Sequence, residues 1–133
     1  MAKLNFEIVT ADGIMSTEEV DVVVANGVMG QLAILPSHAP LVTRLEIGEF
    51  MTRVGSEETW RCVGTGFMEV SNNTVTVLAD TSECSIDIDV DRAEAARKRA
   101  QDRLASGEPD LDTTRVEASL RRALVRLRIA SRS

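Results

Sequence analysis

The chain has 133 residues, 44% of them hydrophobic and only 3% aromatic, with a net charge of −6. That length suits one core with a small appendage, and no apolar run reaches the ~20 residues that a membrane-crossing helix requires. One histidine and two cysteines, Cys62 and Cys84, fall short of an ordinary four-ligand zinc site, so no metal is expected.

The N-terminal MAKLNFEIVT alternates almost from its start and places Leu4, Phe6 and Ile8 on one strand face. It lacks the charged head, apolar stretch and cleavage site of a secretion signal. The expectation is therefore a cytosolic chain whose cysteines stay reduced. EVDVVVANG puts Val20, Val22 and Val24 on one face, and NTVTVLAD does the same with Val75, Val77 and Ala79. Turn signals recur at Ala11-Asp12-Gly13, Asn26-Gly27, Pro36-Ser37, Gly55-Ser56 and Asn72-Asn73. Short alternating strands at this spacing predict an antiparallel β-sandwich over residues 1–86.

Two motifs inside this unit invite a catalytic reading. His38 stands between Pro36 and Pro40 without a second histidine, a serine elbow or a cysteine motif. The expectation is a structural loop, its imidazole bonded to loop backbone. Gly64-Thr65-Gly66 begins like a dinucleotide fingerprint but lacks the third glycine and a following helix. It reads instead as a close backbone approach in a sheet. No phosphate loop, nucleophile elbow or HExxH motif is present, and no catalytic residue is expected.

The charge divides where the period changes. Residues 1–89 hold 4 basic and 14 acidic side chains, a net of −10; residues 90–133 hold 11 and 7, a net of +4. From Asp89, an N-cap, a helical stripe runs through Val90, Ala93, Ala96, Ala100 and Leu104, and Gly107 and Pro109 end it. A second helix begins near Asp112, with Thr114 and Glu117 as a competing capping box. Its stripe is Val116, Leu120, Ala123, Leu124 and Leu127. Together they predict a two-helix antiparallel hairpin over residues 87–133. An alanine face buries little area, so this hairpin should hold weakly.

Arg92 and Arg99 on the first helix, and Arg115, Arg122 and Arg126 on the second, form two rows. Three readings stay open: convergence on a phosphate chain, a solvated face with pairs such as Glu117 to Arg121, or an acidic protein partner. Nucleic acid is not expected, because no aromatic residues interleave the arginines.

GQLAILPSHAPL (residues 30–41), GTGFMEVSNNTVTVLAD (64–80) and IDVDRA (88–93) together resemble the epsilon subunit of the F-type rotary, proton-translocating ATP synthase. The last matches that family's I/L-D-x-x-R-A motif. The resemblance implies a non-catalytic central-stalk subunit with no required cofactor. Its sandwich would sit on the gamma subunit and the c-ring. Its hairpin would either fold against the sandwich or extend towards the alpha and beta subunits and block hydrolysis. Membrane association would come only through the complex, at the cytoplasmic face of a bacterial inner membrane or at a thylakoid. In some bacterial members ATP, as a regulatory ligand, holds the hairpin folded. By resemblance, Ile88, Asp89, Arg92 and Ala93 carry the motif, Arg99, Arg122 and Arg126 approach the phosphates, and Glu83 is a further contact. A free-standing nucleotide-responsive module without a rotary partner is the alternative.

Overall fold

A computed structural model describes residues 3–132, excepting the side chains of Ile14 and Met15. Ten strands come first: β1 (Leu4–Thr10), β2 (Gly13–Val20), β3 (Val22–Gly27), β4 (Gly30–Ile34), β5 (Leu41–Leu45), β6 (Gly48–Val54), β7 (Glu57–Val63), β8 (Gly66–Ser71), β9 (Thr74–Ala79) and β10 (Ser82–Cys84). A 3-10 turn, Ser85–Asp87, leads to α1 (Val90–Ala105) and α2 (Thr113–Ala130). The strands run β10-β7-β6-β3-β5-β8-β9-β1-β2, with β4 paired to β3. The path folds over at the β3–β5 link, a single pairing of Gly27 with Leu45. Two layers then close on one aliphatic core, and Phe6 of β1 meets Phe50 of β6 across it at 5.6 Å between ring centroids. Every ladder is antiparallel except β1–β9.

Leu4, Phe6 and Ile8 are fully buried, as their alternation predicts, and so are Val75 and Val77. The valine run differs. The chain leaves the β1–β2 ladder at Asp21 and enters the other layer, and that corner shifts the alternation by one residue. Val23 and Ala25 reach the core while Val24 is only half-buried. The expected Asn26-Gly27 turn also moves. Gly27 and Gly30 pair across the ladder, and the turn residues are Val28 and Met29. Asn72 and Asn73 form the expected tight turn, with φ of 50° and 57°. Asn73 then does a second job. Its side chain accepts the Ser37 N–H at 2.9 Å and donates to the Lys3 carbonyl at 2.6 Å, tying the proline loop to the start of the chain. His38 Nδ1 lies 2.7 Å from the Ala39 carbonyl.

Both helices are capped by the side chains their sequences offer. Asp89 accepts the Arg92 N–H at 3.0 Å, and Asp112, rather than the Thr114/Glu117 box, accepts the Arg115 N–H at 3.2 Å. Gly107 (φ +69°) ends α1 in the left-handed region that favours glycine. Ala93 and Ala100 of α1 and Val116 and Ala123 of α2 are buried within the hairpin. Val90 and Leu124 leave their expected stripes, at 47% and 40% exposure. Val125 and Ile129 are buried instead, in a second small core with Ile47, Cys62 and Ile88, flanked by Trp60 and Ala130. α2 therefore buries two faces, one on α1 and one on the outer surface of β6 and β7.

Strands β6 and β7 consequently carry a core on each side, which explains why Arg61, Cys62 and Val63 are consecutively buried. Along β7 the alternation sends Trp60 and Cys62 beneath α2, and Arg61 and Val63 into the sandwich. Glu83 pairs with Cys62 and Cys84 with Arg61, so the two cysteines point to opposite faces and remain free. Arg61, 6% exposed, donates to Thr52 Oγ1 at 3.2 Å, lies 5.4 Å from the Phe6 ring centroid, and faces Glu18 at 3.5 Å.

Candidate functional site

The hairpin stands on the sandwich through the C-terminal part of α2, and α1 lies outside it. Between α1 and the β9–β10 corner this leaves a cavity of about 440 Å³. Its helical wall is Arg92, Ala93, Ala96, Arg99 and Arg126. Its sheet wall runs from Asp80 to Glu83, with Thr10 and Asp12 from the β1–β2 turn. Asp87 and Asp89 complete the rim. A second trough, about 690 Å³, runs on towards the interhelical loop. Ala96, Arg99 and Arg126 belong to both walls, so the two spaces adjoin. Each falls within the ~300–1,000 Å³ usual for small-molecule sites.

Their charges are opposite. The first cavity is lined by five carboxylates (Asp12, Asp80, Glu83, Asp87, Asp89) against three guanidiniums. The trough has Arg99, Arg103, Arg115, Arg122 and Arg126 against Glu108, Asp110 and Asp112. Several groups are already engaged. Arg126 Nε meets Glu83 Oε1 at 2.6 Å, Asp89 caps α1, and Asp80 accepts from Thr65 and Thr81 at 3.2 and 3.4 Å. Arg122 donates to Ser119 Oγ at 3.1 Å. Arg92, Arg99, Arg103 and Arg115 form no ion pair among the described residues. An anion entering the trough meets guanidinium donors that need not first break a carboxylate contact.

Of the residues singled out from the sequence, Glu83, Asp89, Arg92, Ala93, Arg99 and Arg126 line the first cavity. Arg122 lines only the trough. Ile88 lines neither; it is buried in the small core against Val125 and Ile129. Of the pairs that a solvated face would offer, Glu117–Arg121 is not formed among the described residues; Arg121 faces Glu46 of the sandwich at 3.7 Å. Thr10, Asp12, Asp80, Thr81, Ser82 and Asp87 were not expected at the site. Their only local sequence signal is polarity at strand ends, which any surface turn shares. Among the described residues no group of His, Cys, Asp and Glu is arranged to hold a metal.

Two family models match the chain: ATP synthase, Delta/Epsilon chain, beta-sandwich domain over residues 3–85, and ATP synthase, Delta/Epsilon chain, long alpha-helix domain over residues 87–131. The ATP synthase epsilon chain of Dehalococcoides mccartyi is 49% identical over 133 residues, covering 99% of this chain and 95% of that one. That of Desulforamulus reducens is 45% identical over 131 residues, covering 98% and 99%. Among solved structures, a chain of the Euglena gracilis mitochondrial ATP synthase (OSCP/F1/c-ring) superposes with a TM-score of 0.81 at 18% identity, covering 91% of this chain and 77% of that one. A chain of the Tetrahymena thermophila central stalk and c-ring gives 0.56 at 16% identity, covering 98% and 95%. At those identities the two superpositions speak for the fold.

Proposed function

The chain belongs to the ATP synthase delta/epsilon family, among its epsilon chains, and from that premise we propose that it is a non-catalytic rotor subunit whose hairpin senses ATP. The sandwich couples rotation by sitting on the gamma subunit and the c-ring. The hairpin restrains hydrolysis when it leaves the sandwich and extends towards the alpha and beta subunits. Among the described residues no helix is long and apolar enough to cross a membrane, and contact with the membrane is assigned to the complex.

Energetics support a hairpin that can leave. Val125 and Ile129 are its buried aliphatic anchors on the sheet, worth about 1.5–3 kcal/mol each. The ion pairs beside them are partly exposed and worth about 0–1 kcal/mol each. Docking is thus a matter of several kcal/mol, within reach of a ligand that binds only the docked form. The outer face of β5, β8 and β9 supports the rotor contact. There Val42, Phe67 and Leu78 are exposed, with Phe67 directly opposite Leu78. This layer faces away from the one that carries the hairpin.

The observation that carries the sensor is the wall shared by the two spaces, Ala96, Arg99 and Arg126. A nucleotide laid across it places its nucleoside in the first cavity, against Ala93 and Ala96, oriented by Asp89 and Arg92. Its phosphates then reach Arg99, Arg122 and Arg126, away from the carboxylate-rich end. Because α1 and the sandwich both line the first cavity, a molecule bound there favours the docked hairpin. The test is calorimetric titration of the full chain with ATP and ADP, with Arg92→Ala in parallel. Saturable ATP binding, weaker for ADP and lost in the variant, is the expected result. No heat up to about millimolar ATP, a binding free energy weaker than about −4 kcal/mol, overturns the sensor.

A further inference from the structure

The ion pairs and buried apolar contacts that join α2 to the sheet come, among the described residues, from Arg121 onward. Their densest point is the end of the helix. Glu49 of β6 uses both carboxylate oxygens, Oε1 for Arg128 Nε at 3.1 Å and Oε2 for Arg132 Nε at 2.7 Å. The Arg132 guanidinium also lies 4.1 Å from the centroid of the Trp60 ring, close enough for a cation–π contact. Trp60 borders the small core that holds Ile129, one turn before Arg132. The end of α2 and the two residues that follow it are thus gripped by one carboxylate and one indole of the sandwich.

We propose that Glu49 and Trp60 form a receptor for the chain's own C-terminal turn, and that Arg128 and Arg132 are the releasable latch of the hairpin. The proposal rests on the reading of the hairpin as mobile and adds where its release begins. Three features suit a latch. Glu49 is 20% exposed, so its two pairs are partly desolvated, whereas Arg128 and Arg132 are 62% and 43% exposed and open to competing ions or carboxylates. Both arginines depend on one acceptor, so losing it releases both. The contact lies across α2 from the pair Arg126–Glu83, so it acts without occupying the nucleotide cavity.

The test uses the thiol that the latch covers. Cys62 is buried beneath α2 in the same small core as Ile129. In the full chain carrying Cys84→Ser, Cys62 is the single thiol, and its labelling rate by a thiol reagent reports how often the hairpin lifts. Arg132→Gln should raise that rate about five-fold, the effect of one pair worth about 1 kcal/mol, and Glu49→Gln, which loses two pairs, should raise it further. Raising the salt to about 1 M, where the Debye length is about 3 Å, should accelerate the parent more than Glu49→Gln, in which only the Arg121–Glu46 and Arg126–Glu83 pairs are left to screen. Glu57→Gln, in the exposed β6–β7 hairpin, should label like the parent. If Glu49→Gln fails to fold, Arg132→Gln at the chain end decides alone. Rates equal to the parent in the latch variants, or an equal rise in Glu57→Gln, overturn the proposal. No nucleotide is present, so failure of ATP to bind would leave this result standing.

Discussion

Arg126 of α2 and Glu83 of β10 meet at 2.6 Å, 43 residues apart in sequence, at the corner where helix, sheet edge and cavity come together. The pair fastens α2 to the sandwich and also occupies a guanidinium assigned here to phosphate. Both side chains are about a third exposed, so the coupling should be modest. A double-mutant cycle with Glu83→Gln and Arg126→Gln is expected to give about 0.5–1 kcal/mol by denaturant unfolding, falling at high salt. A coupling of several kcal/mol would show a rigid clamp instead.

Ile129→Ala removes one of the two aliphatic anchors of α2 on the sheet. In an unyielding core the cost would be about 2–4 kcal/mol. Here the hairpin can lift, so the loss is capped by the docking energy. The expected outcome is a red shift of Trp60 emission and partial loss of helical circular dichroism, since a short hairpin without its platform frays. The sandwich should still melt near the parent temperature. A large fall in that temperature would show that the two cores unfold as one.

Two glycines should respond differently to alanine. A Cβ on Gly66 would collide with the Leu78 carbonyl oxygen, a backbone atom that moves only with the β8–β9 ladder. Gly66→Ala should cost about 3 kcal/mol or more, like other overpacked sites. At Gly55 (φ +62°) no atom lies near an added Cβ, leaving only the left-handed strain of about 1 kcal/mol. Thermal melts of the two variants check the difference.

Stability should fall at both ends of the pH range, for separate reasons. Burial pushes the Cys62 thiol up to about 11 from its ordinary 9.0, with Arg126 partly opposing the rise. Between those values the unfolded chain has given up a proton that the folded chain still holds, so stability drops as pH rises through that window. Cys62→Ala should lack this alkaline loss. At the acid end, the hydrogen bond from Lys3, reinforced by the Gly55 N–H at 2.6 Å, holds the Asp21 carboxyl below its ordinary 3.8. Its contribution is complete above that value and disappears as pH falls through the lowered one. Denaturant midpoints of Asp21→Asn should therefore vary less with acid than those of the parent.

The exposed aromatic on the sandwich offers a direct test of the rotor contact. Phe67→Asp should abolish co-purification with a gamma subunit, while Cys62 stays as protected as in the parent. Retained co-purification would move the contact to another face.

Much of this architecture is visible in residue patterns that obey one constraint at a time. Leu4, Phe6 and Ile8 lie on a strand with one buried face, and Asp89 and Asp112 cap helices through local hydrogen bonds. Where two constraints act on one element, the pattern blurs. α2 serves α1 with one face and the sheet with another, so a single stripe wrongly includes Leu124 and omits Val125 and Ile129. At Asp21 the chain changes layers, and the valine alternation shifts by one without any change in composition. Arg61 gives no local sign of burial; its place depends on Thr52, Glu18 and Phe6, each on a different strand. The arginines of the site are conspicuous in the helices, whereas its acidic wall comes from separate segments, the β1–β2 turn, the β9–β10 corner with β10 itself, and the approach to α1. The parallel β1–β9 pairing is long-range and leaves no short-range signature at all.

One consequence is mechanical. α2 is about 27 Å long, and its attachments to the sheet begin only at Arg121, so its first two turns and the whole interhelical loop overhang the sandwich. The hairpin is a cantilever clamped along the C-terminal half of α2, with its tightest grip at Arg128 and Arg132. A tilt of about 10° at the clamp swings the loop end by roughly 5 Å over that length. A neighbour pressing on residues 106–112 would therefore work at the long end of a lever, prising loose a joint that it never touches.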